Sequence, residues 1–123
     1  MSKRPLISVV DDDESVRESL PDLIREFGFE ARAFSSAEEF LGSEYVDQTD
    51  CLITDVAMPG WTGPELQREL ANRRQEIPVI FITAHCDDAV RLRLLANGAA
   101  ECLFKPFGDS QLLKAIERVL GRK

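Results

Sequence analysis

Short apolar runs alternate along the chain with longer segments in which apolar residues recur at helical spacing. The runs predict five β-strands at residues 6–10, 29–34, 51–54, 78–82 and 100–104. The intervening segments predict helices at 15–27, after Ser36, from Pro64 onward, at 89–97, and from a cap at Asp109 to residue 120. Strand and helix thus alternate five times, which indicates parallel strands joined by crossover helices.

The predicted strands are apolar along most of their length, so both faces of their sheet need a covering of helices. The pattern therefore predicts the α/β class, as a three-layer α/β/α sandwich around a five-stranded parallel sheet. Right-handed crossovers with the flavodoxin-like strand order 2-1-3-4-5 would open a cleft between strands one and three, beyond their carboxyl ends. Chemistry is expected in that cleft.

Composition narrows the classes of function. The chain has 123 residues, which fits one compact domain over residues 1–123. No apolar run is long enough for a membrane span or a secretion signal, so we expect a cytoplasmic location and no membrane partner. The formal net charge of −7 repels phosphate backbones, so direct nucleic-acid binding by this segment is not expected.

Polar residues follow four of the five predicted strands. They are Asp11, Asp12 and Asp13 after strand one, Asp55 after strand three, Thr83 after strand four and Lys105 after strand five. The carboxyl ends of parallel strands share one edge of a sheet, so these side chains should converge. Asp13 suits the cap of the first helix. Two further carboxylates beside Asp55 would repel one another unless a cation neutralised them.

Mg²⁺ fits such a cluster because it accepts one or two carboxylates and leaves positions open for phosphate oxygens. Lys105 and the Thr83 hydroxyl could bind phosphoryl oxygens. Each alone is better explained as an ordinary strand-end residue, but their joint occurrence at one edge is not. Asp55 precedes a loop rich in Pro and Gly, which leaves it freer than Asp11 and Asp12. The pattern indicates phosphoryl transfer onto the Asp55 carboxylate, with Asp11 and Asp12 as cation ligands.

Four short motifs carry a family resemblance. They are VVDDD at 9–13, DVAMP at 55–59 followed by Gly63, ITA at 82–84 and KPF at 105–107. In this order, over nearly the whole chain, they resemble the receiver domain of two-component response regulators. The segments SAEEFL at 36–41, TAH at 83–85 and CLFKPF at 102–107 look most like the FixJ branch of that family.

The resemblance implies a phosphoacceptor switch, limited to self-phosphorylation and autodephosphorylation, and not an enzyme that acts on a separate substrate. Asp55 would receive its phosphoryl group from a sensor histidine kinase. Asp12 would bind Mg²⁺, or Mn²⁺ in its place, directly and Asp11 would bind it through water. The Ala57 carbonyl would complete the protein ligands.

Further roles follow from the same resemblance. Thr83 and Lys105 would hold phosphoryl oxygens, with Ala84 kept small for access, and the bond before Pro106 would be cis. Ala57 and His85 lie where the family tunes the lifetime of the phosphoryl group.

One position departs from the family pattern. Cys102 stands three residues before Lys105, where receivers usually carry an aromatic residue. Phe104 lies on the same strand face as Cys102 by the two-residue period. We hypothesise that Phe104 takes over part of the packing role of that aromatic switch residue.

The fourth helix suggests an interface. Leu92, Leu95 and Ala96 share one face, whereas Val90 and Leu94 fall nearly opposite, and both faces cannot pack on one sheet. A strip left exposed would suit a phosphorylation-dependent homodimer, and shielding by a neighbouring loop is the alternative. FixJ-like receivers usually precede a helix-turn-helix output domain that controls transcription. No such domain is visible in this chain.

Three rival functions remain open. A haloacid dehalogenase-type phosphatase would use Asp11 as its nucleophile, but it leaves Asp55 and the following turn unexplained. A flavodoxin-like FMN carrier needs a phosphate cradle after strand one, where the three aspartates would repel phosphate. A pseudo-receiver would bind partners without phosphorylation, although every residue type of the acceptor site is present. Replacing Asp11 or Asp55 separates the phosphatase from the receiver.

Overall fold

The computed structural model describes residues 4–58, 60–84, 88–96 and 98–121, apart from the side chain of Val90. Its five-stranded sheet is parallel and has the order β2-β1-β3-β4-β5. The strands are β1 Leu6–Val10, β2 Glu30–Phe34, β3 Cys51–Asp55, β4 Val79–Thr83 and β5 Glu101–Phe104. The predicted fold class and strand order are confirmed.

Helices cover both faces of the sheet, as the apolar strands require. They are α1 Glu14–Glu26, α2 Ala37–Leu41, α3 Gly63–Asn72, α4 Asp88–Ala96 and α5 Asp109–Val119, with a 3₁₀ turn at Val46–Gln48. On one face, α1 and α5 bury residues such as Ile24 and Ile116. On the other, α2, α3 and α4 bury Phe40, Leu66 and Leu94. The three-layer sandwich is therefore present.

Four predicted helix starts are wrong by one residue, because α1, α3, α4 and α5 begin at Glu14, Gly63, Asp88 and Asp109. Capping explains the difference at α3 and α5. Asp109 is the first residue of α5 and not its cap, because Gly108 takes the capping position and its N–H donates to Gln111 Oε1 at 2.8 Å. Helix α3 begins at Gly63, one residue before Pro64, because Thr62 and Glu65 cap it reciprocally.

The apolar residues of α4 are divided as its sequence suggests. Leu94 is buried, Leu95 is half-buried, Ala96 is exposed and Leu92 is 67% exposed. Trp61, in the loop after β3, is half-buried against the hydrophobic cluster that includes Leu66 of α3. Among the described helices, none is long and apolar enough to cross a bilayer.

Candidate functional site

The register of the sheet brings the predicted site residues to one edge. Val10 is aligned with Thr54 in the sheet. The next residues are Asp11, which directly follows β1, and Asp55, which is the last residue of β3, so both lie at the carboxyl ends of these strands. Thr83 is aligned with Phe104, so Lys105 leaves β5 beside the end of β4. The convergence expected at strand ends in the sequence is thus observed in the fold.

Three carboxylates form a cluster at this edge. Oxygen atoms of Asp11, Asp12 and Asp55 all lie within 4.8 Å of one another. Asp11 is fully buried, Asp55 is partly buried and Asp12 is exposed. The cluster therefore has a buried floor and an open rim, which suits a site that must admit a ligand from solvent.

Asp11 is held at several atoms. Its Oδ1 accepts the Asp13 N–H at 2.9 Å, and its own N–H donates to the Phe34 carbonyl. Burial raises the pKa of Asp11, although the Asp13 hydrogen bond and Lys105 oppose the shift. Because its pKa is higher in the folded state, ionised Asp11 opposes folding at neutral pH, and this cost disappears as the pH falls through that pKa.

The ammonium group of Lys105 faces the cluster. Its Nζ lies 3.3 Å from Asp11 Oδ2 and 3.2 Å from Asp55 Oδ2. Burial by itself would lower the pKa of Lys105, but the two carboxylates outweigh it and the pKa is raised. Because the pKa of Lys105 is higher in the folded protein than in the unfolded chain, protonated Lys105 stabilises the fold. This contribution is complete below the pKa of the unfolded state and is lost as the pH rises through the pKa of the folded state.

Asp55 is positioned by the loop that follows it. Its Oδ1 accepts the Ala57 N–H at 3.0 Å, and Gly63 N–H donates to the Val56 carbonyl at 2.9 Å. Asp55 Oδ2 contacts Lys105, so both oxygens have a defined partner. Ala57 is exposed, and the contact it makes with Asp55 uses its nitrogen.

The remaining predicted residues lie around this centre. Thr83 is buried, and its carbonyl accepts the Lys105 N–H at 2.7 Å. Ala84 is exposed, and the Lys105–Pro106 peptide bond is cis. Phe104 is half-buried against the same cluster as Cys102, so the two share a strand face. His85 lies outside the described residues.

The donor set suits a hard divalent cation. All three clustered side chains offer oxygen, which Mg²⁺ and Mn²⁺ accept, whereas zinc sites usually include His or Cys ligands. Two net negative charges remain when Lys105 is counted against the three carboxylates. The residues present therefore fit Mg²⁺, with Asp12 on the open side.

The third aspartate of the triplet has a separate role. Asp13 Oδ1 accepts the N–H and the hydroxyl of Ser15. These hydrogen bonds cap α1 and lower the pKa of Asp13.

We expect Asp13→Ala to lower the urea midpoint of unfolding by about half a molar unit without weakening Mg²⁺ binding. Asp12→Ala should leave the urea midpoint unchanged and weaken Mg²⁺ binding at least about tenfold. Urea unfolding and a Mg²⁺ titration of both variants test this separation, and a matching loss of Mg²⁺ binding in both would contradict it.

Two further residues, Arg17 and Gly63, lie against this site, although no role for them was predicted from the sequence. Arg17 Nη1 donates to the Asp11 carbonyl at 3.1 Å from the first turn of α1. A Cβ placed on Gly63 would lie 2.5 Å from the Asp55 carbonyl oxygen. The spacing of Arg17 from the Asp triplet was the available signal for the first, whereas the second depends on how closely α3 approaches β3.

Comparisons with known proteins agree with the geometry. The family model described as the response regulator receiver domain matches residues 7–117. Nodulation protein W of Bradyrhizobium diazoefficiens is 45% identical over 115 residues, which are 94% of this chain and 51% of that protein. The transcriptional regulatory protein FixJ of Azorhizobium caulinodans is 39% identical over 116 residues, covering 94% of this chain and 55% of that protein.

Solved structures give the same result. The crystal structure titled FixJ-N superposes with a TM-score of 0.86 at 34% identity, and the match covers 99% of this chain and 98% of that one. The chain spans about half the length of the curated relatives it matches. The matched region includes every described site residue, and the predicted likeness to FixJ is supported by relatives of that name. The chain therefore belongs to the receiver-domain family of two-component response regulators.

Proposed function

We propose that this chain accepts a phosphoryl group on Asp55 from a sensor histidine kinase, with Mg²⁺ held at Asp11 and Asp12. Receiver domains are signalling switches that sensor histidine kinases phosphorylate and that bind Mg²⁺ at an acidic pocket, and generally they are not classical enzymes. The observation that carries the proposal is the set of three carboxylates within 4.8 Å, two of which contact Lys105.

The transfer would proceed at Asp55. Its carboxylate oxygen would attack the phosphorus of a phosphohistidine, so that a P–O bond forms as the P–N bond breaks. The departing imidazole nitrogen would keep the bonding electrons and take a proton from solvent. Asp55 suits this role better than Asp11, which is fully buried, whereas Asp55 is partly open.

The surrounding groups would stabilise the charge on the transferred group. Lys105 lies 3.2 Å from Asp55 and could move its ammonium group onto a phosphoryl oxygen, while the Thr83 hydroxyl would bind another. Bound Mg²⁺ would neutralise further charge, and the Ala57 carbonyl would complete its protein ligands. Ala84 is small and exposed, which leaves a path for the donor.

Intact mass spectrometry tests the proposal. Incubation with Mg²⁺ and acetyl phosphate should add one phosphoryl mass to the wild-type protein and none to Asp55→Asn. Asp11→Asn should still gain the group, more slowly, because Asp11 is proposed as a cation ligand. A phosphatase that uses Asp11 as its nucleophile would give the opposite pattern. A pseudo-receiver would show no gain in any of the three proteins.

We also propose that residues 1–123 form one receiver domain whose phosphorylation controls an output domain or partner, with transcription as the output. Several relatives are named as transcriptional regulators, and they are about twice as long as this chain.

Leu92 on α4 is the large apolar side chain left exposed among the described residues. Its position supports a phosphorylation-dependent homodimer through α4. Phe104, packed on the Cys102 face, would couple the site to that region.

A further inference from the structure

We propose that Arg17 is a positioning residue for the cation site, which fixes the Asp11–Asp12 peptide and thereby directs the exposed Asp12 carboxylate. The inference rests on the proposed function, because the cation in question is the one proposed to support phosphoryl transfer. It assigns a role to a side chain outside the acidic cluster and outside the four family motifs.

Arg17 reaches back across the loop between β1 and α1. Its backbone N–H donates to the Asp13 carbonyl at 3.1 Å, which closes the first turn of α1. Its side chain turns toward the sheet, where Nη1 donates to the Asp11 carbonyl at 3.1 Å. The side chain is partly buried, so this hydrogen bond is shielded from some of the competition with water.

Asp11 is held at four points once this bond is counted. The Phe34 carbonyl accepts its N–H, Asp13 N–H and Lys105 Nζ reach its two carboxylate oxygens, and Arg17 reaches its carbonyl. The carbonyl contact is the one that acts on the next residue in the chain. Asp12 is exposed, so its direction is set mainly by the backbone that carries it.

The coupling between the two residues is a property of the peptide bond. The Asp11 carbonyl and the Asp12 N–H belong to one planar unit. A hydrogen bond that fixes the carbonyl oxygen therefore fixes the rotation of that plane and limits the backbone dihedral of Asp12. Partners that orient a metal ligand in this indirect way typically contribute 10- to 100-fold in metal affinity.

The positive charge of Arg17 should act in the opposite direction. A guanidinium close to the acidic cluster repels Mg²⁺, so its removal would strengthen cation binding if charge were its main effect. Loss of positioning would weaken cation binding. The direction of the change in Mg²⁺ affinity therefore distinguishes positioning from electrostatics.

The test is a titration with Mg²⁺ alone. Trp61 is the single tryptophan of the chain and lies in the loop after β3, so its fluorescence should report binding. The Mg²⁺-induced rise in unfolding temperature gives a second measure of affinity. We expect Arg17→Met to bind Mg²⁺ about tenfold more weakly than wild type, and Arg17→Lys to recover part of the loss because it retains a donor.

Arg25→Met is the matched control. Arg25 lies in the last turn of the same helix, and its Nη2 donates to the Ala31 carbonyl at 2.9 Å. The substitution thus removes the same charge and the same kind of backbone contact at the far end of α1. Its Mg²⁺ affinity should remain that of wild type.

Equal or tighter Mg²⁺ binding by Arg17→Met would overturn the proposal, and so would an equal loss in Arg25→Met. If the wild-type protein gains a phosphoryl group, either result would leave the proposed function standing and would exclude only this role of Arg17. If the wild type neither bound Mg²⁺ nor gained the group, both proposals would fall.

Discussion

Replacing Lys105 with methionine is expected to slow phosphoryl gain from acetyl phosphate by about 100-fold or more, and at the same time to strengthen Mg²⁺ binding. The two effects have opposite signs because the ammonium group of Lys105 would favour phosphoryl transfer and oppose Mg²⁺ binding. It would stabilise the charge on the transferred group, but it would also compete with a cation for Asp11 and Asp55. A residue that merely supported the fold would shift both properties in the same direction.

The geometry explains why the competition should be measurable. Lys105 Nζ lies at 3.3 and 3.2 Å from two carboxylates, and its side chain is only 26% exposed. Methionine keeps most of the apolar side chain and removes the charge. Burial already raises the pKa of Asp11 against the opposing effect of Lys105, so the variant should raise that pKa further.

Phosphoryl gain is followed by intact mass and Mg²⁺ affinity by Trp61 fluorescence. Lys114→Met provides the control, because Lys114 is exposed on α5 and the substitution removes the same charge there. A Lys105→Met protein that phosphorylates at the Lys114→Met rate would exclude the proposed role of the ammonium group. Weaker Mg²⁺ binding would exclude the competition.

The fold was predictable because its strands are short, apolar and separated by helical periodicity. The same pattern placed Asp11, Asp55 and Thr83 at the ends of strands, and parallel alignment then brought them to one edge. This prediction needs only the local hydrophobic pattern and the general rule that parallel strands end at one edge of a sheet. It therefore identifies which residues converge, and the structure agrees on that point.

The relation between neighbouring site residues was not predictable in the same way. Asp11 and Asp12 are adjacent in the chain, yet the first is fully buried and the second is exposed. The contact between Arg17 and the Asp11 carbonyl depends on the conformation of a long side chain that the sequence does not specify. The start of α5 at Asp109, with Gly108 as its cap, depends on where the chain leaves β5, which local capping preference does not determine.

At Gly63 the start of α3 lies so close to β3 and β4 that no side chain fits, and only the three-dimensional structure shows this. A substitution there is therefore expected to have a large effect on stability. Gly63→Ala is expected to lower the free energy of unfolding by about 3 kcal/mol, through overpacking. A Cβ at this position would lie 2.5 Å from the Asp55 carbonyl oxygen and 2.7 Å from the ring of Phe81. Both neighbours belong to central strands, so neither can move aside easily.

The same substitution should impair phosphorylation at temperatures where the variant is folded. Relief of the clash requires the start of α3 and the end of β3 to separate, which displaces Asp55 relative to Lys105 and the other carboxylates. Because small misplacements of reacting groups are costly, we expect phosphoryl gain to slow by about tenfold or more. Urea unfolding and intact mass measure the two effects separately.

Gly42→Ala distinguishes this steric effect from a general cost of replacing glycine. Gly42 ends α2 with φ −86°, and the nearest atom to an added Cβ is the Glu38 carbonyl oxygen at 3.4 Å. Alanine can adopt that conformation, so the control should change stability by no more than about 0.5 kcal/mol, because it also restricts the unfolded chain. Equal stability losses in the two variants would mean that the approach of α3 to Asp55 is not what requires glycine at position 63. A stable Gly63→Ala protein with wild-type phosphoryl gain would show that the site tolerates a wider separation of β3 and α3.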